Sequence, residues 1–488
     1  MRKILQNQQL RQLEIVEFLL DKQSVLLKDV SQELYISEKT IRKDIRAINH
    51  IFSPIEISAN GEGISLVIPN NYSIDFIYSC FLEQSLEYSI AEYCFFYPNM
   101  TIEKLAKEYQ VSDSTIRRTL NRLNSEFKKH DFELSGNPII YSGDELHIIM
   151  FISALLKEKY TMRESIFPID QFMFIQELIH SFYKKNKMII DDFEEQKLTL
   201  FVLTSIIRRQ QNTMKLIPSL MRSPNEFDFT VVHDADYKMK YSLYFNRALT
   251  EDELAIIFWI ILNKTHVFND GNIISIEDSL VKRKIEDYRM LVNNMKKRLG
   301  IAFENADDVA LEMYNLVIMK PSKDYILHDP LSEFEKELRA NYFDFNYIFD
   351  EICEDIFPND TYTTYQKRYM KYQLFTQWSE LYPQLKQTIK KPRVAIISNK
   401  HTGHADFLYN KLKYIYKDRI DIEIFSFKQL SIIIEKTNDF HILVTSIQGV
   451  VVKNGMRVIN FSIFPTSHEL YELDLMINEV KIELTQES

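Results

Sequence analysis

The sequence predicts a multidomain, mainly α-helical fold: a duplicated helical unit with a trailing hairpin, then two helical bundles, then a small α/β domain with a parallel sheet. Three observations predict it. A stretch of 27 residues recurs at an offset of 75. Gly (9) and Pro (13) are scarce in 488 residues, so long runs can stay helical. After Pro392, strand-length apolar runs alternate with helical ones. At roughly 100–200 residues per domain, a chain of this length holds three to five domains. The expected divisions are 1–72, 73–165, 166–278, 279–391 and 392–488.

The duplication comes first. Placing Leu26–Phe52 over Thr101–Phe127 gives seven identities: Glu33/Glu108, Ser37/Ser112, Thr40/Thr115, Ile41/Ile116, Arg42/Arg117, Asn49/Asn124 and Phe52/Phe127. In the first copy Leu27, Val30 and Leu34 stand at i, i+3 and i+7, which predicts a short helix. Tyr35-Ile36-Ser37 is the turn, and Ser37 is placed to cap a second helix. Ile41, Ile45 and Ile48 of that helix face inward, leaving Lys39, Thr40, Arg42, Lys43 and Arg46 on the other side. In the second copy Thr101 caps Ile102–Tyr109 and Val111-Ser112 turns. Ile116, Leu120, Leu123 and Phe127 form the buried stripe, with Ser114, Thr115, Arg117, Arg118, Asn121 and Arg122 outside.

This layout suits double-stranded DNA. The second helix of a helix–turn–helix enters the major groove, where Arg pairs with guanine and Lys or Arg neutralises phosphate. Residues 37–49 carry four basic side chains against Glu38 and Asp44, and residues 113–129 carry five against Asp113 and Glu126. These are positive islands in a chain of formal charge -10. Each copy is followed by alternating apolar runs around Asn60-Gly61 or Gly136-Asn137, the mark of a hairpin and so of a wing. Gln9–Lys22 reads as a helix before the first copy, and Ser73–Tyr97 as helical packing between the two.

The chain start lacks the apolar core of a signal peptide. Leu146–Leu156 and Leu254–Leu262 are the longest uncharged apolar runs, short of the ~20 residues that cross a bilayer. Three scattered cysteines (Cys80, Cys94, Cys353) make neither a disulfide framework nor a zinc ribbon. The expectation is a cytoplasmic protein with no membrane segment, metal or cofactor. No Gly-rich phosphate loop, His-Glu-x-x-His or Gly-x-Ser-x-Gly is present, so no enzyme is expected.

The N-terminal helix, two consecutive winged helix–turn–helix units and a long helical remainder resemble the Mga/AtxA family of virulence regulators in Gram-positive bacteria. The likeness spans essentially the whole length, and residues 9–150 carry it. It implies a transcription regulator that acts as a homodimer or higher oligomer, with both units implicated in DNA contact and the second more firmly implicated. It also implies that the middle, about 168–390, holds two domains similar to the sugar phosphotransferase (PTS) regulation domain (PRD), switched when phosphocarrier proteins phosphorylate their histidines.

The middle reads as nearly all helix: Phe172–Asn186, Phe193–Asn212, Glu251–Phe268, Ser279–Leu299, Ala306–Met319, Leu331–Leu338 and Tyr365–Leu381 each show helical periodicity. Its histidines depart from the family pattern. Phe201 or Val202 stands where one histidine would precede Arg208-Arg209, and Ile260 where a second would fall. The candidates for phosphorylation are therefore His180, His233, His266 and His328.

Beyond Pro392, strands at Arg393–Ser398, Ile420–Phe425, His441–Thr445 and Val458–Ile463 alternate with helices at His404–Tyr416, Lys428–Lys436 and His468–Leu484. This resembles the EIIB component of sugar phosphotransferase systems. In active components of that type a cysteine in the loop after the first strand accepts phosphate. Here Asn399–His404 holds none, which excludes cysteine phosphotransfer there. His401 or His404 could meet an anion at the helix start, and the resemblance implies a domain kept for dimerisation. The rival functions are a PTS-linked RNA antiterminator, a degenerate phosphotransfer component and a protein-packing scaffold. The helix–turn–helix repeats argue against the first, the missing loop cysteine against the second, and the basic outer faces against the third.

Overall fold

The computed structural model describes the chain except residues 21, 23, 61–62, 161–165, 187–191, 212–226, 260–261, 263–278, 320–325, 358–361, 380, 382–384, 386–390, 402, 436–438, 453–455 and 487–488. Two compact units result. One is Met1–Phe268 with Met319–Asp329, the other Asn269–Ile318 with Pro330–Ser488. Among the described residues no helix is long and apolar enough to cross a membrane.

In the first unit, α1 (Asn7–Leu20), α2 (Leu27–Glu33) and α3 (Glu38–Ile51) pack together, and β1 (Glu56–Asn60) and β2 (Gly63–Val67) form an antiparallel wing. After α4 (Ile74–Gln84) the plan repeats in α5 (Leu86–Phe96), α6 (Ile102–Glu108) and α7 (Asp113–Phe127), with β3 (Phe132–Ser135) and β4 (Ile140–Gly143) as the second wing. The repeated residues perform repeated tasks. Tyr35 and Gln110 hold φ of 55° and 54° at the two turns. The next amides, Ile36 and Val111, reach back to the Ser31 and Ala106 carbonyls, a helix-ending motif that tolerates any side chain able to bear the left-handed cost. Ser37 and Ser112 then cap α3 and α7, each accepting from the amide three residues on. Asn49 donates to the Ile57 carbonyl at 2.9 Å and accepts its N–H at 2.7 Å. Asn124 does the same to Leu134, at 2.8 Å both ways. One amide side chain thus satisfies both polar groups of a wing residue, which fixes the wing on its helix. Val25 adds a third edge to the first wing through Ile64, and the Met100 carbonyl takes the corresponding bond from Ile139 in the second. Gly63 must be glycine: a Cβ there would stand 2.4 Å from the Val25 carbonyl oxygen.

The helical packing expected between the copies is two helices, α4 and α5, divided at Ser85, whose hydroxyl caps α5. Next come α8 (Glu145–Lys159), α9 (Ile169–Lys185), α10 (Asp192–Gln210), α11 (Ala235–Phe245) and α12 (Glu251–Ile257). The helix expected over Glu251–Phe268 ends at Ile257, with Phe258 and Trp259 in a turn; Ile260 lies outside the described residues. Buried Arg208 on α10 holds Glu145 at the start of α8 through two bonds, 2.6 and 3.0 Å, tying the bundle to the second wing's exit.

A short strap, Ile326–His328, closes the first unit. Glu158 of α8 accepts all three of its amides at 2.7–2.8 Å. Arg2 donates twice to the Leu327 carbonyl and twice to Glu17. The His328 ring stacks on Tyr78 at 4.5 Å.

The second unit contains helices Ser279–Leu299, Pro330–Asn341, Phe343–Ile356 and Thr364–Gln377, together with the helix that starts at Ala306. Buried Lys371 spends its ammonium on Glu335, Asn346 and Asp350. The C-terminal domain is a four-stranded parallel sheet in the order β6-β5-β7-β8, from β5 (Arg393–Ile397), β6 (Asp421–Phe425), β7 (Ile442–Thr445) and β8 (Arg457–Asn460). Alternation along β5 fills two cores. Val394 and Ile396 meet helices Gly403–Tyr416 and Ser467–Gln486 on one face, while Ala395 and Ile397 meet Ile433 and Phe440 on the other.

Candidate nucleic-acid interface

Lys39, Arg42, Lys43 and Arg46 on α3 are all exposed, with Thr40 partly covered. Ser114, Arg117, Arg118 and Asn121 on α7 are exposed, with Thr115 partly covered. Thr40 and Thr115 lie against the capping serines, 2.8 and 2.9 Å between hydroxyl oxygens, so each joins its helix start. Among the described residues Lys39, Lys43 and Arg46 make no ion pair, and Arg42 only a long one to Glu38 at 3.7 Å. Arg118 folds back on its own helix, reaching the Ser114 carbonyl at 3.3 Å. Glu103, on α6, is held below the usual carboxylate range first by the Thr101 hydroxyl, with a smaller contribution from the charge of Arg117.

Acid counted against these faces in the sequence is hidden. Asp44 is fully buried and takes Arg11 at 2.6 and 3.1 Å and Gln12 at 3.3 Å. That bond keeps the Arg11 guanidinium above its ordinary value. Glu126 is buried against Lys129. The outward faces are therefore more positive than the composition of each helix implies.

One expected contact residue is otherwise engaged. Arg122 is half-buried and donates to Glu87, 2.7 Å away and almost wholly enclosed. It joins α7 to α5, as Asp44–Arg11 joins α3 to α1 with the charges exchanged. Sequence reasoning placed Arg122 outside because its helical position points away from the stripe, and Glu87 lies 35 residues back. The clamps at Asn49 and Asn124 were visible as identities but not as wing anchors. Tyr35, read from the sequence only as a turn residue, is 96% exposed there.

The candidate histidines are not alike. His180 and His233 are exposed, near Glu195 and Glu251 at 3.6 Å. His328 is nearly covered, its Nδ1 2.9 Å from Asp75 and its ring stacked on Tyr78, so phosphorylation at Nδ1 would first have to break the strap. His266 lies outside the described residues.

Two winged units in series, each turning a cationic second helix to solvent, define a helix–turn–helix regulator of transcription. The comparisons agree. A family model for the Mga helix–turn–helix domain matches residues 70–156, and one for the M protein trans-acting positive regulator (MGA) HTH domain matches residues 6–55. A Streptococcus pneumoniae serotype 4 protein named as a trans-acting regulator is 21% identical over 451 residues, 88% of this chain and 90% of its own. The anthrax toxin expression trans-acting positive regulator of Bacillus anthracis is 22% identical over 469 residues, 92% and 94% of the two chains. The capsule synthesis positive regulator AcpA of the same organism is 22% identical over 325 residues, 62% and 64%. The chain thus carries two regions that match Mga-type helix–turn–helix domains and is similar over most of its length to trans-acting regulators of the Mga/AtxA type.

Proposed function

We propose that this chain is a cytoplasmic transcription regulator that binds double-stranded DNA through α3 and α7, acts as a homodimer or higher oligomer, and takes input from phosphocarrier proteins. The observation that carries the DNA reading is the duplication itself. The same turn, cap and wing clamp recur 75 residues apart, and what is left outward on both second helices is cationic. The contact set is Lys39, Thr40, Arg42, Lys43 and Arg46 with Ser114, Thr115, Arg117, Arg118 and Asn121. Arg122 is a lesser member, because Glu87 occupies it.

The test is DNA binding by the full chain across a salt series, on specific and random fragments. The expected result is a steep fall of affinity with salt, about one unit of logarithmic slope for each phosphate neutralised. Arg117→Glu with Arg118→Glu should weaken binding without changing the melting temperature, since both side chains are exposed. Unchanged affinity in that double variant would remove the second unit from the interface.

The regulatory reading rests on the exposed histidines of the first bundle. Incubation with phosphorylated phosphocarrier protein should label His180 or His233 before His328. Absence of label on all four candidates, His266 included, would overturn that input. Sedimentation velocity over a range of protein concentrations tests assembly, and a single monomer boundary throughout would overturn the oligomer.

A further inference from the structure

Five polar groups converge at the carboxyl ends of β5 and β7. The strand order β6-β5-β7-β8 reverses direction between these two strands, and open parallel sheets admit ligands at such a point. Ser398 directly follows β5 and Ser446 directly follows β7. Ser398 Oγ lies 2.8 Å from His404 Nδ1 and 3.1 Å from Ser446 Oγ.

The protons can be assigned from the partners. His404 Nε2 is 2.8 Å from the Ile463 carbonyl oxygen, which only accepts. The neutral ring therefore carries its proton on Nε2, and Nδ1 is a bare acceptor. Ser446 donates to Asn399 Oδ1 at 2.9 Å and accepts the Asn399 N–H at 3.1 Å, so its own hydrogen is committed. Ser398 is the group left to donate to Nδ1. Its oxygen in turn receives the Lys400 N–H at 3.1 Å, which favours negative charge there. A hydroxyl, a base and a group that orients the base stand in series, the arrangement that makes a serine nucleophilic.

The surroundings select the charge of the electrophile. Lys400 and His401 are exposed beside Ser398, and the 14-residue helix Gly403–Tyr416 begins at this loop. Asp406 is the acid in its first turn. Glu469, across the sheet end, is occupied by the Ser462 and Thr466 amides.

We propose that Ser398 accepts a phosphoryl group from a small acyl phosphate, with His404 as general base. A lone pair of Oγ forms the new bond to phosphorus. The bond from phosphorus to the donor's carboxylate oxygen breaks, and its electron pair leaves with the carboxylate. The Ser398 proton passes to His404 Nδ1. The reaction is stoichiometric, one group per chain, and rests on no part of the DNA-binding reading.

Acetyl phosphate is the probe. Incubation with the full-length protein, followed by intact mass and peptide mapping, should find one phosphoryl group on Ser398. His404→Gln should slow its arrival by about a hundredfold or more, the usual scale of a general base. Ser446→Ala should leave Ser398 reactive. Ser398 left unphosphorylated overturns the proposal, and so does phosphorylation at the wild-type rate in His404→Gln. Should that variant fail to fold, the wild-type protein still decides with a fluorophosphonate, which must modify Ser398 ahead of every other serine; no preference for Ser398 overturns the proposal as well.

Discussion

Arg117 and Arg122 sit five residues apart on one helix, yet they have different work. Arg117 is exposed, whereas Arg122 crosses to Glu87 on α5. Arg117→Ala is expected to reduce the salt slope of DNA binding by about one. Arg122→Ala should instead lower the melting temperature and leave the slope nearly unchanged. Measuring both quantities on both variants separates the roles, and matching effects would refute the distinction. Nothing in the sequence separated the two arginines, because the distinction depends on a carboxylate brought close only by the fold. Asp44 is the same lesson in reverse: it reads as opposing surface charge and is in fact an internal anchor for Arg11. The cysteines give a second residue-scale test. Burial pushes the Cys94 thiol up to about 12 and the Cys353 thiol up to about 11. Iodoacetamide at pH 8 should therefore leave both unmodified in the native protein and label them on unfolding. Rapid native labelling of Cys94 would contradict its burial against α5's neighbours.

At the scale of elements, the wings depend on single side chains. Asn124→Ala removes both bonds to Leu134, and Asn49→Ala both bonds to Ile57. Each should cost roughly 1–3 kcal/mol locally, two ordinary hydrogen bonds with partly buried partners. Hydrogen exchange should report it as lost protection in β3 or β1, with the helices unaffected. Equal protection in variant and parent would mean that packing alone holds the wing. Ser112→Ala should cost about 1 kcal/mol by uncapping α7, seen as faster exchange at Thr115 and Ile116. The duplicated helices, both hairpins and the alternation after Pro392 were legible because short-range periodicity and capping residues specify them. Two helices were not. Ala235–Phe245 buries few apolar side chains, Tyr241 and Phe245 among them, so it shows no stripe; its signals were Asp234 as cap and Asn246 in the left-handed conformation at its end. Phe343–Ile356 begins Phe-Asp-Phe-Asn, an alternation that imitates a strand. Its helical identity appears only when Phe345, Ile348, Phe349 and Ile352 are seen buried together.

For the whole molecule, the strap is the feature that sequence periodicity could not disclose. It joins residues 325 apart in the chain, and the groups that hold it, the Glu158 carboxylate, the Arg2 guanidinium and the Asp75 carboxylate, come from three separate elements. Glu158→Ala would leave three amides without their acceptor and should raise protease sensitivity near Ile326–Asp329 while α3 and α7 stay intact. An unchanged cleavage pattern would show that Arg2, Asp75 and Tyr78 suffice without it. Acid should act in the same direction. Asp75 is held below the usual carboxylate range, chiefly by its bond to His328. That pair therefore contributes fully above the ordinary carboxylate value, and the contribution fades as pH falls through the depressed one. Asp75 is mostly exposed, so water screens the pair and the Glu158 bonds carry more of the hold.

The Arg2–Leu327 bond also sets an order in time. A ribosome delivers the second residue first and the 327th only after both DNA-facing helices have emerged. Until then Arg2 has Glu17 but not the Leu327 carbonyl. The unit that reads DNA is thus finished by a segment made long after it, and a chain cut at the end of the second wing would carry every basic contact residue while lacking its last fastening.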